Sequence, residues 1–136
     1  MSVSLSASQL STLAAIRATF MDALKEAERQ LDELRMLQGI QTRVIYVVRI
    51  SSQLYMAQDF DTKVWSARSA TQASHFDDLD ECTLVAAASR DGAGNVGMPV
   101  TLFQALQDEI RTLRECIDFS QNPERHLKSS PKSGEV

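Results

Sequence analysis

Arg43-Val-Ile-Tyr-Val-Val-Arg-Ile50 is the stretch that decides the fold. It is β-branched and apolar on both faces, as an interior strand is, and it breaks the helical period on either side. Ser51-Ser-Gln53 follows as a turn, Leu54-Tyr-Met-Ala57 as a second strand, and Asp59-Phe-Asp61 leads into a third, Thr62-Lys-Val-Trp-Ser66. The pattern predicts a small antiparallel meander of about three strands. A sheet of that size is marginal alone and must cover a face with a helix. The helix that precedes it is the expected cover.

Outward from the meander the period becomes helical. Leu10, Leu13, Arg17, Phe20, Leu24, Ala27, Leu31 and Leu34 advance in alternating steps of three and four, which keeps them on one seam. Ser6 and Gln9 have the spacing of a capping box, Leu5 and Leu10 that of a hydrophobic staple, and Gly39 is a natural stop. A helix between these signals is on the order of 45–50 Å long. On the other side, Ala70 to Phe76 reads as a short strand or tight loop, and Asp77 or Asp78 caps a helix running to about Ser89. Arg90-Asp-Gly-Ala-Gly-Asn-Val-Gly97 reads as a flexible loop. Pro99 then resets the chain, and Thr101 with Gln104 opens a last helix that ends near Phe119. Its seam is Phe103, Leu106, Ile110, Leu113 and Ile117. The fold class expected is α+β, as one domain over residues 1–119 followed by a flexible, disordered polar tail over 120–136.

The two helices differ in length. The last spans on the order of 27 Å, so antiparallel pairing leaves about 20 Å of the first seam uncovered. Either the small sheet covers it or a second copy of the chain does, since an uncovered apolar seam is an interaction surface. A homodimer through Leu13, Phe20, Leu24, Leu31 and Leu34 is therefore expected, with Arg17 able to fix register.

Composition narrows the function classes. A chain of 136 residues has room for one modest core. Its net charge of −4 disfavours a general nucleic-acid binder, which needs a basic surface to displace counterions from phosphates. Cys82 and Cys116 are two and far apart, which is no disulfide framework; both read as reduced, buried thiols of a cytoplasmic protein. The start, Met1-Ser-Val-Ser-Leu-Ser, has neither the basic nor the apolar region of a signal peptide. No apolar run has the length of a membrane span.

Chemistry-bearing residues are sparse. His75 stands beside Asp77 and Asp78, the arrangement of a base oriented by a carboxylate, but no nucleophile motif accompanies it; His126 lies in the tail. Asp59 and Asp61 are spaced like the start of a calcium loop without its downstream glycine and glutamate. Gly92, Gly94 and Gly97 follow no strand and precede no Gly-Lys-Ser/Thr, so they form no phosphate-binding loop. The two cysteines make no Cys-x-x-Cys or Cys/His constellation. The chain is expected to be non-catalytic, without metal or cofactor. Asp59, Asp61, Asp77, Asp78, Asp80 and Glu81 are the candidate partner-binding residues, an acidic rim for a basic protein surface; at turns and helix starts Asp also serves as a capping residue. Trp65, Tyr46 and Tyr55, with Arg43, Arg49, Lys63 and Arg68 nearby, suit either a packed sheet or a base-stacking platform.

Tyr46-Val-Val-Arg49, Leu54-Tyr55, Val64-Trp65, Ala70, Ala73-x-x-Phe76 and Glu81 form a pattern that resembles a β-hairpin-plus-helix module of small phage, prophage and mobile-element proteins. The resemblance spans about a quarter of the chain. It implies a compact accessory protein that acts by binding, as phage inhibitors of host defence do, anti-CRISPR proteins among them. It brings no functional residue with it. The function expected is a non-catalytic protein-interaction module, a dimeric inhibitor or adaptor of a larger protein machine. The alternative is a nucleic-acid-associated regulator that uses the aromatic and basic residues of the sheet.

Overall fold

The computed structural model describes residues 5–38, 44–90 and 92–123. In chain order these form α1 (Ala7–Gln38), β1 (Tyr46–Ser51), β2 (Leu54–Gln58), β3 (Trp65–Arg68), a single 3-10 turn (Ala70–Gln72), α2 (Leu79–Ala88), β4 (Met98–Thr101) and α3 (Leu102–Gln121). The fold is α+β, as the sequence predicts. Two compact units are distinguished, Glu26–Ile110, and Met1–Lys25 with Arg111–Val136, their boundaries falling inside the two long helices.

The sheet lies wholly in the unit Glu26–Ile110. Its order is β3-β2-β1-β4, all antiparallel, so it has four strands where three were expected. The extra strand, β4, pairs Tyr46 with Thr101 and Val48 with Pro99. A four-residue segment containing proline reads as a loop, but at a sheet edge a missing N–H leaves no ladder bond unmade. As expected, β1 is interior. β3 starts at Trp65 rather than Thr62, because the preceding residues are used in a turn. Asp59 Oδ1 accepts the N–H groups of Asp61 (2.9 Å) and Thr62 (2.8 Å), Lys63 takes φ 63°, and the Asp59 N–H donates to the Val64 carbonyl. A bulge between Arg49 and Ser51 interrupts the β1–β2 register.

The two faces of the sheet carry different cores. Val48 is fully buried with Phe76, Cys82 and Ala86, while Tyr46, Ile50, Met56 and Val85 pack around them. This is the face on which α2 lies, against β1 and β4. The opposite face carries Val47, Arg49, Tyr55 and Ala57, and it is tied to α3. Arg49 donates to Asp108 Oδ2 (2.6 Å) and, through its other donors, to the Tyr55 hydroxyl (2.9 and 3.2 Å). Gln104 holds the second Asp108 oxygen (3.0 Å). Burial works against the Arg49 charge, but the hydrogen bonds to Tyr55 and Asp108 carry its pKa upward; burial raises that of Tyr55. α2 and α3 thus meet strands, and residues 26–38 of α1, the cover the sequence predicts, bury Ala27, Leu31 and Leu34 in the same unit as the sheet. α1 also contributes Gln30, which donates to the Thr71 carbonyl (3.0 Å), and Arg35, whose guanidinium lies over the Phe103 ring.

Local signals account for most element ends. Ser6 and Gln9 exchange backbone-to-side-chain bonds of 2.8 and 3.0 Å, a complete capping box. Asp78 caps α2 by accepting the Asp80 N–H (2.9 Å). Thr101 Oγ1 caps α3 through the Gln104 N–H (3.1 Å), while the Gln104 side chain turns to Asp108. The last helix runs through Gln121 with Ser120 buried, past the expected end near Phe119; Gly39, Arg43 and the tail from 124 onward lie outside the described residues. In the 90–97 segment Gly94 takes φ 86°, a value other residues resist. Gly97 has a separate reason: a Cβ there would meet the Ala86 carbonyl oxygen at 3.0 Å and Val48 at 3.2 Å. Cys82 is buried, and burial pushes its thiol up to about 11; Cys116 is only half-buried, unlike its expectation.

A candidate interaction surface

The acidic residues named from sequence fall at one end of the sheet. β2 ends at Gln58 and runs into the turn that carries Asp59 and Asp61. β1 begins at that same end, and there Phe76 bridges Tyr46 through two backbone bonds of 2.7 and 2.8 Å. Asp77 and Asp78 follow directly, then Asp80 and Glu81 in the first turn of α2. The Trp65 ring lies parallel to the Phe76 ring, their centroids 6.4 Å apart, and joins the start of β3 to the start of α2. All six carboxylates are exposed. Two of them make structural hydrogen bonds that fix the local backbone. Asp59 organises its turn, and the N–H groups of Thr62 and Asp61 hold its carboxyl below the usual range; Asp78 is the cap of α2. The local rule that Asp favours turns and caps explains these two, and the preference of acidic side chains for the positive end of a helix accounts for Asp80 and Glu81 in the first turn of α2.

Exposed apolar side chains lie among these acids, and the sequence did not mark Phe60 or Leu79 as such. Phe60 is 86% exposed between Asp59 and Asp61, Val64 is 61% exposed, and Trp65 and Leu79 are more than one-third exposed. Lys63 places its ammonium 5.0 Å from the Phe60 ring centroid. An aromatic residue between two turn-forming aspartates was the available signal, since a turn has no core for such a ring to enter.

The stacking platform of aromatic residues is not assembled. Tyr55 is 1% exposed and sits on the face opposite Trp65, with Arg49 bound to its hydroxyl and to Asp108. Arg68 donates to Ser66 within its own strand (3.1 Å). His75 lines an open cavity of about 320 Å³ with Arg29, Gln30, Glu33, Leu34 and Thr71. Although the residue keeps an exposed edge, partial burial holds its imidazole below the usual value of 6.5. Arg29 on the cavity wall is already held by Glu26 and Glu33. Among the described residues no group of three or more His, Cys, Asp or Glu side chains could hold a metal ion. Nor is any described helix long and apolar enough to cross a membrane.

The seam of α1 divides in two. In the unit Glu26–Ile110, Ala27, Leu31 and Leu34 are buried (0, 6 and 5% exposed). In the other unit, Leu13, Arg17, Phe20 and Leu24 are half-buried and Leu10 is exposed. No protein-family model, characterised protein or solved structure matches the chain. What defines the molecule is therefore its own architecture, an α+β fold with a four-stranded antiparallel sheet and an acidic, partly aromatic end.

Proposed function

We propose that the chain is a non-catalytic protein-interaction module that occupies a basic surface of a partner protein, as an inhibitor or adaptor of a larger machine. The supporting observation is the exposure of Phe60, Val64, Trp65 and Leu79 among Asp59, Asp61, Asp77, Asp78, Asp80 and Glu81. Apolar rings surrounded by carboxylates have the layout of a binding patch: the rings provide area to desolvate, and the charges provide orientation and speed of encounter. A nucleic-acid partner is disfavoured, since phosphates would meet like charge at this end.

The experiment is capture of the native partner on immobilised protein, with two variants alongside. Asp77→Asn, Asp78→Asn and Asp80→Asn together remove three charges, and Asn retains the capping ability needed at position 78. Phe60→Ser removes the most exposed ring. Both variants are expected to keep the circular dichroism spectrum of the wild type and to lose the partner. A partner retained by both removes this end of the sheet from the proposal.

A further inference from the structure

Helix α2 covers only half of the sheet face it rests on. It lies against β1 and β4, which are adjacent in the order β3-β2-β1-β4. The other half of that face belongs to β2 and β3. Met56 packs toward the Phe76–Cys82 core, so Leu54, two residues earlier, shares its face. Ala67 pairs directly with Met56 and Trp65 with Gln58, which places them on that face too. Leu54 is 43% exposed, Ala67 is exposed, Trp65 remains partly open and Met56 is half-buried. The result is an apolar shelf beside α2.

We infer that this shelf takes an amphipathic helix of the partner protein, laid beside α2 with its apolar side on Leu54, Met56, Trp65 and Ala67 and basic side chains toward the carboxylates. The inference rests on the function proposed above and names the chemistry of the partner segment. Width supports a helix: two strands span roughly 10 Å, about the diameter of one helix, and α2 already fills the equivalent width over β1 and β4. Charge sets the sign of the occupant. Asp59 and Asp61 follow β2 at the Trp65 end, and Asp77, Asp78, Asp80 and Glu81 follow Phe76 there, so six carboxylates outnumber the nearby cations Lys63 and Arg68. A second copy docked by the same shelf would bring these carboxylates against their own equivalents, because a two-fold contact apposes identical patches.

Trp65 is the sole tryptophan of the chain and reports from the shelf itself. The probe is a synthetic amphipathic peptide of leucine and lysine, with two controls: the same composition scrambled so that no apolar face forms, and a leucine–glutamate version. The expected result is a saturable blue shift of Trp65 emission with the first peptide alone. Ala67→Glu adds no positive charge and obstructs the shelf on an exposed strand position, so it should weaken binding by about tenfold or more. Leu84→Ser, on the 71% exposed position of α2, should leave binding unchanged. An equal shift with the scrambled or acidic peptide overturns the inference, as does undiminished binding by Ala67→Glu. Self-association that Ala67→Glu abolishes assigns the shelf to a second copy and also overturns it. In partner capture, retention by Ala67→Glu together with loss by the triple Asn variant sinks the shelf but leaves the interaction module standing; retention by both sinks both.

Discussion

A side chain that titrates near neutrality should report on its own burial, and His75 is such a group. Its imidazole is held below 6.5 by partial burial, so the unfolded chain binds the proton more tightly than the folded one. The stability this contributes is present above pH 6.5 and lost as pH falls through the lowered value. His75→Gln, which cannot take up a proton, should flatten that part of the profile. The check is the urea midpoint of both proteins at pH 7.5 and pH 5; parallel losses in the two would show that His75 does not carry the dependence. In sequence His75 stands beside two aspartates, as an oriented base would, but its cavity offers an Arg29 already paired with Glu26 and Glu33 and no nucleophile motif. Adjacency along the chain identifies neighbours in number only; the fold decides which way each side chain looks.

Between elements, the Arg49–Asp108 pair with Tyr55 and Gln104 is a cross-link. It joins β1, β2 and α3 at positions separated by six and by 59 residues, which no periodicity connects. Its side chains are 24% and 18% exposed, so the pair is partly shielded from water. Asp108→Ala leaves the guanidinium with its Tyr55 bonds only. The expected cost is about 1–3 kcal/mol, the range for losing a charge-assisted bond at a partly buried site. Chemical denaturation would read it as a lower midpoint with an unchanged slope; a loss within error of zero would make the pair incidental. The element ends show the opposite situation. Ser6 with Gln9, and Asp78 with Asp80, are legible from sequence because both partners of each bond lie within one turn. β4 was hidden for the converse reason: its partner is β1, about fifty residues away, and alone it is a short proline-containing segment.

At the scale of the molecule, the seam of α1 carries the dimer proposal, and burial restricts where such a contact can form. Leu31 and Leu34 are already covered within the chain and have little surface left to give. Leu13, Phe20 and Leu24 retain some, so a second copy would meet the helix there. Light scattering of the wild type is expected to give twice the mass of the 15.1 kDa chain, and Leu13→Glu with Phe20→Glu to halve it. A wild type of monomer mass at micromolar concentration would remove the dimer.

By itself the sequence determined the α+β class, the interior character of β1, the caps of α1 and α2 and the seams of the long helices. Each of these is written in local periodicity or in a bond closed within a few residues. Only the tertiary structure decided that the sheet has a fourth strand, that α2 takes one half of a face, and that Leu54, Trp65 and Ala67 stay open beside it. An apolar residue in a strand looks the same in sequence whether or not something covers it. Coverage depends on where distant elements come to rest, and here they leave an apolar shelf next to a ring of carboxylates.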